Sequence, residues 1–126
     1  MKTLKKIVYL TGIILLSLNA KAQLVPETYQ PIFNEIVTNF ETIRGSNSLK
    51  DGKTSLRLLS QEKIVIKLDH KRNVKTLTFV IKLDEEGNKY WVADNTLTID
   101  MVNKYESDLT KVLEKMLEIS REESKK

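Results

Sequence analysis

Between Leu56 and Leu83, apolar side chains recur at every second position, in short runs cut by polar turns. Leu56 and Leu58 alternate with Ser55, Arg57 and Leu59. Ile64, Ile66 and Leu68 alternate with Val65, Lys67 and Asp69, and Leu77, Phe79, Ile81 and Leu83 with Thr76, Thr78, Val80 and Lys82. Successive strand side chains point to opposite faces, so this pattern predicts strands that each turn one apolar face inward. The breaks have turn chemistry: Asp51-Gly52, Gln61-Glu62-Lys63, His70-Lys71-Arg72-Asn73 and Asp84-Glu85-Glu86-Gly87-Asn88. Tyr90-Trp91-Val92 extends the series, and Thr96-Leu97-Thr98-Ile99, after Asp94-Asn95, reads as a further strand. Connections this short suit antiparallel neighbours, which predicts a meander of four or five strands.

Helical periodicity flanks the strands on both sides. Tyr29, Ile32, Phe33, Ile36, Val37, Phe40 and Ile43 form one apolar stripe within residues 28–44. Thr28 is placed to cap that helix, Pro31 fits its first turn and Gly45 its C-terminal end. Val102, Tyr105, Leu109, Val112, Leu113, Met116 and Leu117 make a second stripe, with Asp100 as its expected cap. From about Arg121 the charged tail is expected to fray. The predicted class is α+β: a two-layer sandwich of N-terminal helix, antiparallel meander and C-terminal helix.

The N-terminus predicts a route out of the cell. Lys2, Lys5 and Lys6 precede an apolar run from Ile7 to Leu18, and Ala20-Lys21-Ala22 supplies small residues at a cleavage site. The run is shorter than the roughly twenty residues a membrane span needs, so residues 1–22 read as a cleavable signal peptide. Residues 23–126 are then a single small domain beginning at Gln23, located in the bacterial periplasm or outside the cell. Without cysteine the chain has neither disulfides nor a lipid-modified anchor. No second long apolar stretch follows, so no stable membrane insertion is expected after cleavage.

Removing the signal changes the electrostatic reading. The chain carries 21 basic and 17 acidic residues, but Lys2, Lys5, Lys6 and Lys21 lie in the signal, which has no acid. The remainder holds 17 of each sign, so overall basicity is no argument for nucleic-acid binding. A net charge near zero raises the prospect of self-association.

Catalytic machinery is sparse. The single histidine, His70, falls in a turn without an orienting partner, and no nucleophile motif, phosphate-cradling glycine loop or metal-ligand spacing occurs. Asp84-Glu85-Glu86-Gly87-Asn88 has clustered oxygens but lacks the calcium-loop spacing and reads as a hairpin turn. The expectation is a non-enzymatic protein without cofactor or metal.

What remains is the sheet face opposite the helices. Alternation places Arg57, Leu59, Val65, Lys67, Thr76, Thr78, Val80 and Lys82 there. Trp91 is ambiguous, because Tyr90 and Val92 compete with it for the inside. With Trp91 outward, Trp91, Val65, Val80, Lys67, Lys82 and Arg57 would form an apolar patch rimmed by cations, suited to docking a protein. With Trp91 inward it is core. The leading expectation is a binding protein of inhibitor, immunity or envelope-accessory type, engaging its partner through this face or a strand edge. The alternative is a carrier of a small apolar ligand, with Phe33, Phe40, Phe79 and Met116 lining a pocket between helices and sheet.

Overall fold

The computed structural model describes residues 25–70 and 73–126. The signal-peptide reading of residues 1–22 lies outside them. Helix α1 (Tyr29–Phe40) leads into strands β1 (Ser48–Asp51), β2 (Thr54–Ser60), β3 (Lys63–His70), β4 (Asn73–Leu83) and β5 (Lys89–Ala93). Helices α2 (Thr96–Lys104) and α3 (Glu106–Ser124) close the chain. The strands form a five-stranded sheet in the order β1-β2-β3-β4-β5. Every neighbouring pair is antiparallel. The fold is therefore α+β, with the sheet packed against the helices.

The alternation sets which face is covered. Leu56, Ile64, Ile66, Leu68, Leu77 and Phe79 are buried on the helix side. They meet Tyr29, Phe33, Ile36 and Phe40 of α1 and Leu109, Leu113 and Met116 of α3 in one core cluster. Phe33 is central, with ring centroids 4.9 Å from Phe79 and 5.5 Å from Trp91. Each such side chain contributes about 1.5–3 kcal/mol through burial, which makes this stripe the main reason the two layers adhere.

Polar groups fasten the helices to each other. The Tyr29 hydroxyl donates to the Glu106 carbonyl at 3.2 Å and lies 3.1 Å from Thr110 Oγ1. Burial holds its phenol above the ordinary tyrosine value. Asn39 Nδ2 donates to the buried Ser120 hydroxyl at 2.9 Å, and that hydroxyl donates to the Leu117 carbonyl at 2.7 Å. Arg121 grips the Glu35 carboxylate through both Nε and a terminal guanidinium nitrogen.

Several expectations are corrected. Thr96–Ile99 is the start of α2, because the Asn95 side chain accepts from the Thr98 amide and caps a helix there. Asp100 accordingly lies inside α2. The fifth strand is instead β1, whose Leu49 is buried opposite Leu56. Helix α1 ends at Phe40 rather than Arg44: Glu41, Thr42 and Ile43 each donate three residues back, a tighter turn than the α-helix. Thr28 makes no side-chain cap. The chain past Arg121 continues in helix to Ser124, held by the Glu35 pair. Leu83, at the far end of β4, is 63% exposed.

Candidate functional site

The sheet face away from the helices carries most of the exposed strand cations. Antiparallel register lays its side chains out in rows. Ser48, Arg57, Val65 and Thr78 stand in one row. Lys50, Ser55, Lys67 and Thr76 stand in the next. On the other side of the first row, Lys63, Val80 and Val92 form a third, followed by Lys82 and Tyr90. Arg57, Leu59, Lys67 and Lys82 are exposed, and Val65 and Val80 are half-buried.

At the β1–β3 end the face is hollowed into a concavity of about 780 Å³. Its cationic lining is Lys50, Arg57 and Lys67, its hydroxyl and amide lining comes from Ser46, Asn47, Ser48 and Ser55, and Leu59 and Val65 complete it. No carboxylate lines it. The β2–β3 irregularity between Leu58 and Ser60 makes Leu59 an extra residue on its strand, which bends the edge of the hollow. Arg57 is one row removed from both lysines, with cross-strand diagonals of about 7–8 Å. Among the described residues, none of the three cations has an ion-pair or hydrogen-bond partner.

The structure thus brings Arg57, Val65, Lys67, Val80 and Lys82 together on one face and separates Trp91 from them. Trp91 is 1% exposed on the helix side, where its Nε1 donates to Asn34 Oδ1 at 2.9 Å. Of the two placements open in the sequence, Trp91 therefore takes the core one. Val92 pairs with Val80 on the other face, where it is buried. Sequence reading missed Lys50 and the Ser46-Asn47-Ser48 segment, because a strand as short as β1 carries too few alternating positions to register. The signal was nonetheless present: Asp51-Gly52 between Leu49 and Leu56 is a hairpin turn, and Gly52 has the left-handed φ of 63° such turns need.

Both sheet edges have side chains bonded to their outward backbone. On β5, the Gln30 amide takes both groups of Trp91, accepting from its N–H and donating to its carbonyl, each at 2.7 Å. On β1, the Ser46 hydroxyl accepts from the Ser48 N–H and donates to the Ser48 carbonyl, each at 3.1 Å. Such caps blunt an edge against strand addition.

The other surveyed positions have structural uses. Asp84 Oδ1 accepts from the Glu86 and Asn88 amides at 2.9 and 2.7 Å, so the acidic turn is organised by its own carboxylate. Among the described residues, no group of three or more His, Asp or Glu is placed to hold a metal ion. His70 closes β3 opposite Asn73, and its side chain lies outside the described residues. Phe33, Phe40, Phe79 and Met116 all belong to the core cluster. No helix of the described residues is long and apolar enough to cross a membrane. Compared with known protein families, curated proteins and solved structures, the chain matches none.

Proposed function

We propose that the chain is an exported, non-enzymatic binding protein that docks a protein partner on the open face of its sheet. The observation that carries this reading is the asymmetry of the sheet. One face is sealed by α1, α2 and α3, while the other exposes Arg57, Leu59, Lys67 and Lys82 around half-buried Val65 and Val80. An apolar centre with a charged rim that includes an arginine is an arrangement protein interfaces use. The face is favoured over a strand edge because Gln30 and Ser46 already occupy outward backbone groups on β5 and β1. The face is favoured over an interior carrier pocket because the Phe33 and Phe79 rings, 4.9 Å apart, pack directly on each other. Inhibitors, immunity factors and accessory subunits of envelope complexes all work by such docking.

The test is affinity capture of tagged protein from envelope and culture-medium fractions, identified by mass spectrometry. Leu59→Asp and Lys82→Glu, both at exposed positions of the face, remove the captured partner. Lys111→Glu, on the exposed side of α3, leaves it in place. Capture that survives the first two variants and fails with the third moves the interface to the helices. Salt-sensitive self-association of the pure protein, abolished by the face variants, makes a second copy the occupant.

A further inference from the structure

We propose that the hollow at the β1–β3 end of the open face binds an acidic protein segment carrying carboxylates beside apolar side chains on one of its faces. The inference rests on the open face being a docking surface and names the chemistry of what docks there.

Three observations converge on it. Lys50, Arg57 and Lys67 line the hollow together with no carboxylate, and none has an ionic partner among the described residues. Arg57 stands about 7–8 Å from each lysine by register, within a Debye length of about 8 Å at physiological salt, so its potential adds to theirs. Asp69 is on that face about 6.6 Å from Lys67 along β3, outside the lining, and offsets part of the Lys67 potential, leaving Lys50 and Arg57 as the unopposed cations. Second, the lining offers donors to oxygen acceptors: Ser48 stands opposite Arg57 and Ser55 two residues before it, and a guanidinium is the group best shaped for a carboxylate. Third, cationic and apolar lining alternate along the strands. On β3 Val65 precedes Lys67 by two residues, a step of about 6.6 Å, and on β2 the bulged Leu59 lies beyond Arg57.

That step selects the occupant. An extended segment with a carboxylate and an apolar side chain two residues apart presents both on one face at the same repeat. A sulfated glycan or an anionic lipid headgroup would satisfy the cations and leave Leu59 and Val65 against water. A single-stranded nucleic acid stacks its bases on aromatic rings, and none lines the hollow.

The experiment titrates purified protein with fluorescein-labelled peptides of repeating glutamate-serine-leucine-serine and follows anisotropy. The expected result is saturable binding at low salt that weakens steeply as salt rises. Arg57→Ala and Lys67→Ala each weaken it about fivefold, the upper size expected of one partly exposed charge pair. Leu59→Ser weakens it as well, and Lys111→Ala leaves it unchanged. All four positions are exposed, so melting curves matching wild type confirm intact folds.

Equal binding of the analogue with glutamine for glutamate overturns the acidic assignment. Equal binding of the analogue with serine for leucine overturns the apolar one. Tighter binding of heparin or phosphatidylglycerol vesicles, lost in the same variants, assigns the hollow to a different anion. Absence of peptide binding overturns the proposal outright. If peptides fail while partner capture still collapses with Leu59→Asp and Lys82→Glu, the docking face stands and only its acidic occupant is wrong. If capture ignores those variants, the face itself is wrong.

Discussion

The indole of Trp91 packs against Phe33 and spends its one polar hydrogen on Asn34. A ring that is 1% exposed and hydrogen-bonded is a stability residue. Trp91→Ala therefore lowers the free energy of unfolding by about 3–5 kcal/mol, read from urea titration, and native emission is fully blue-shifted. Glu35 is a surface counterpart. The Arg121 guanidinium bonded to it holds its carboxyl below the usual glutamate value. A depressed folded value means the ionised pair favours the native state above the unfolded value, and that help disappears as pH falls through the folded one. Glu35→Gln thus melts lower than wild type at neutral pH. The gap closes on acidification past the ordinary glutamate value of about 4.3, measured as melting temperature against pH. A gap independent of pH would show that the ion pair adds nothing to stability.

At the scale of elements, the two edges of the meander are occupied by side-chain hydrogen bonds rather than by further strands. Gln30 reaches from α1 to the middle of β5 and bonds both outward groups of Trp91. Gln30→Ala leaves a partly buried N–H and C=O without partners, a loss of about 1–3 kcal/mol. It also opens an edge, so sedimentation becomes concentration-dependent. Gln30→Glu keeps the acceptor for the Trp91 N–H but sets a carboxylate oxygen against its carbonyl, and at neutral pH it destabilises at least as much. Helix α2 forms where the local pattern predicts a strand. Thr96-Leu97-Thr98-Ile99 has β-branched residues and strict alternation, yet Asn95 caps it and Thr98, Ile99 and Val102 turn one buried stripe inward. Alternation over so few residues fits a helix turn as readily as a strand, and the cap decided between them. Strand β4 has the longest alternating run, and its fully buried Leu77 and Phe79 follow the pattern read from it.

Across the whole molecule, charge is sorted rather than scarce. The open face gathers Lys50, Arg57, Lys63, Lys67 and Lys82 on its rows. In α3, Glu106, Asp108, Glu114, Glu118, Glu122 and Glu123 stand against Lys111, Lys115 and Arg121, an acidic excess of three. Residues 23–126 balance in charge, yet the open face gathers five cations against Asp69, a local imbalance that composition misses. Export is the premise of that reading. Intact mass spectrometry of protein recovered from the medium or periplasm is expected to show a chain beginning at Gln23. A chain retaining Met1 in the cytoplasm would remove the premise.

Local periodicity by itself determined the α+β class, the antiparallel meander, the helix-facing positions of Leu56, Ile64, Ile66, Leu77 and Phe79, and the outward set Arg57, Val65, Lys67, Val80 and Lys82. These follow from side-chain direction, which repeats every two residues in a strand and every 3.6 in a helix whatever lies opposite. Tertiary structure alone decided the orientation of Trp91, the existence of β1 and the hollow that β1 completes. Tyr90-Trp91-Val92 is apolar on both sides, and β1 is too short to show a period. Their placement was set by partners distant in sequence, Phe33 and Asn34 for the indole and Leu56 for Leu49, and not by their own neighbours.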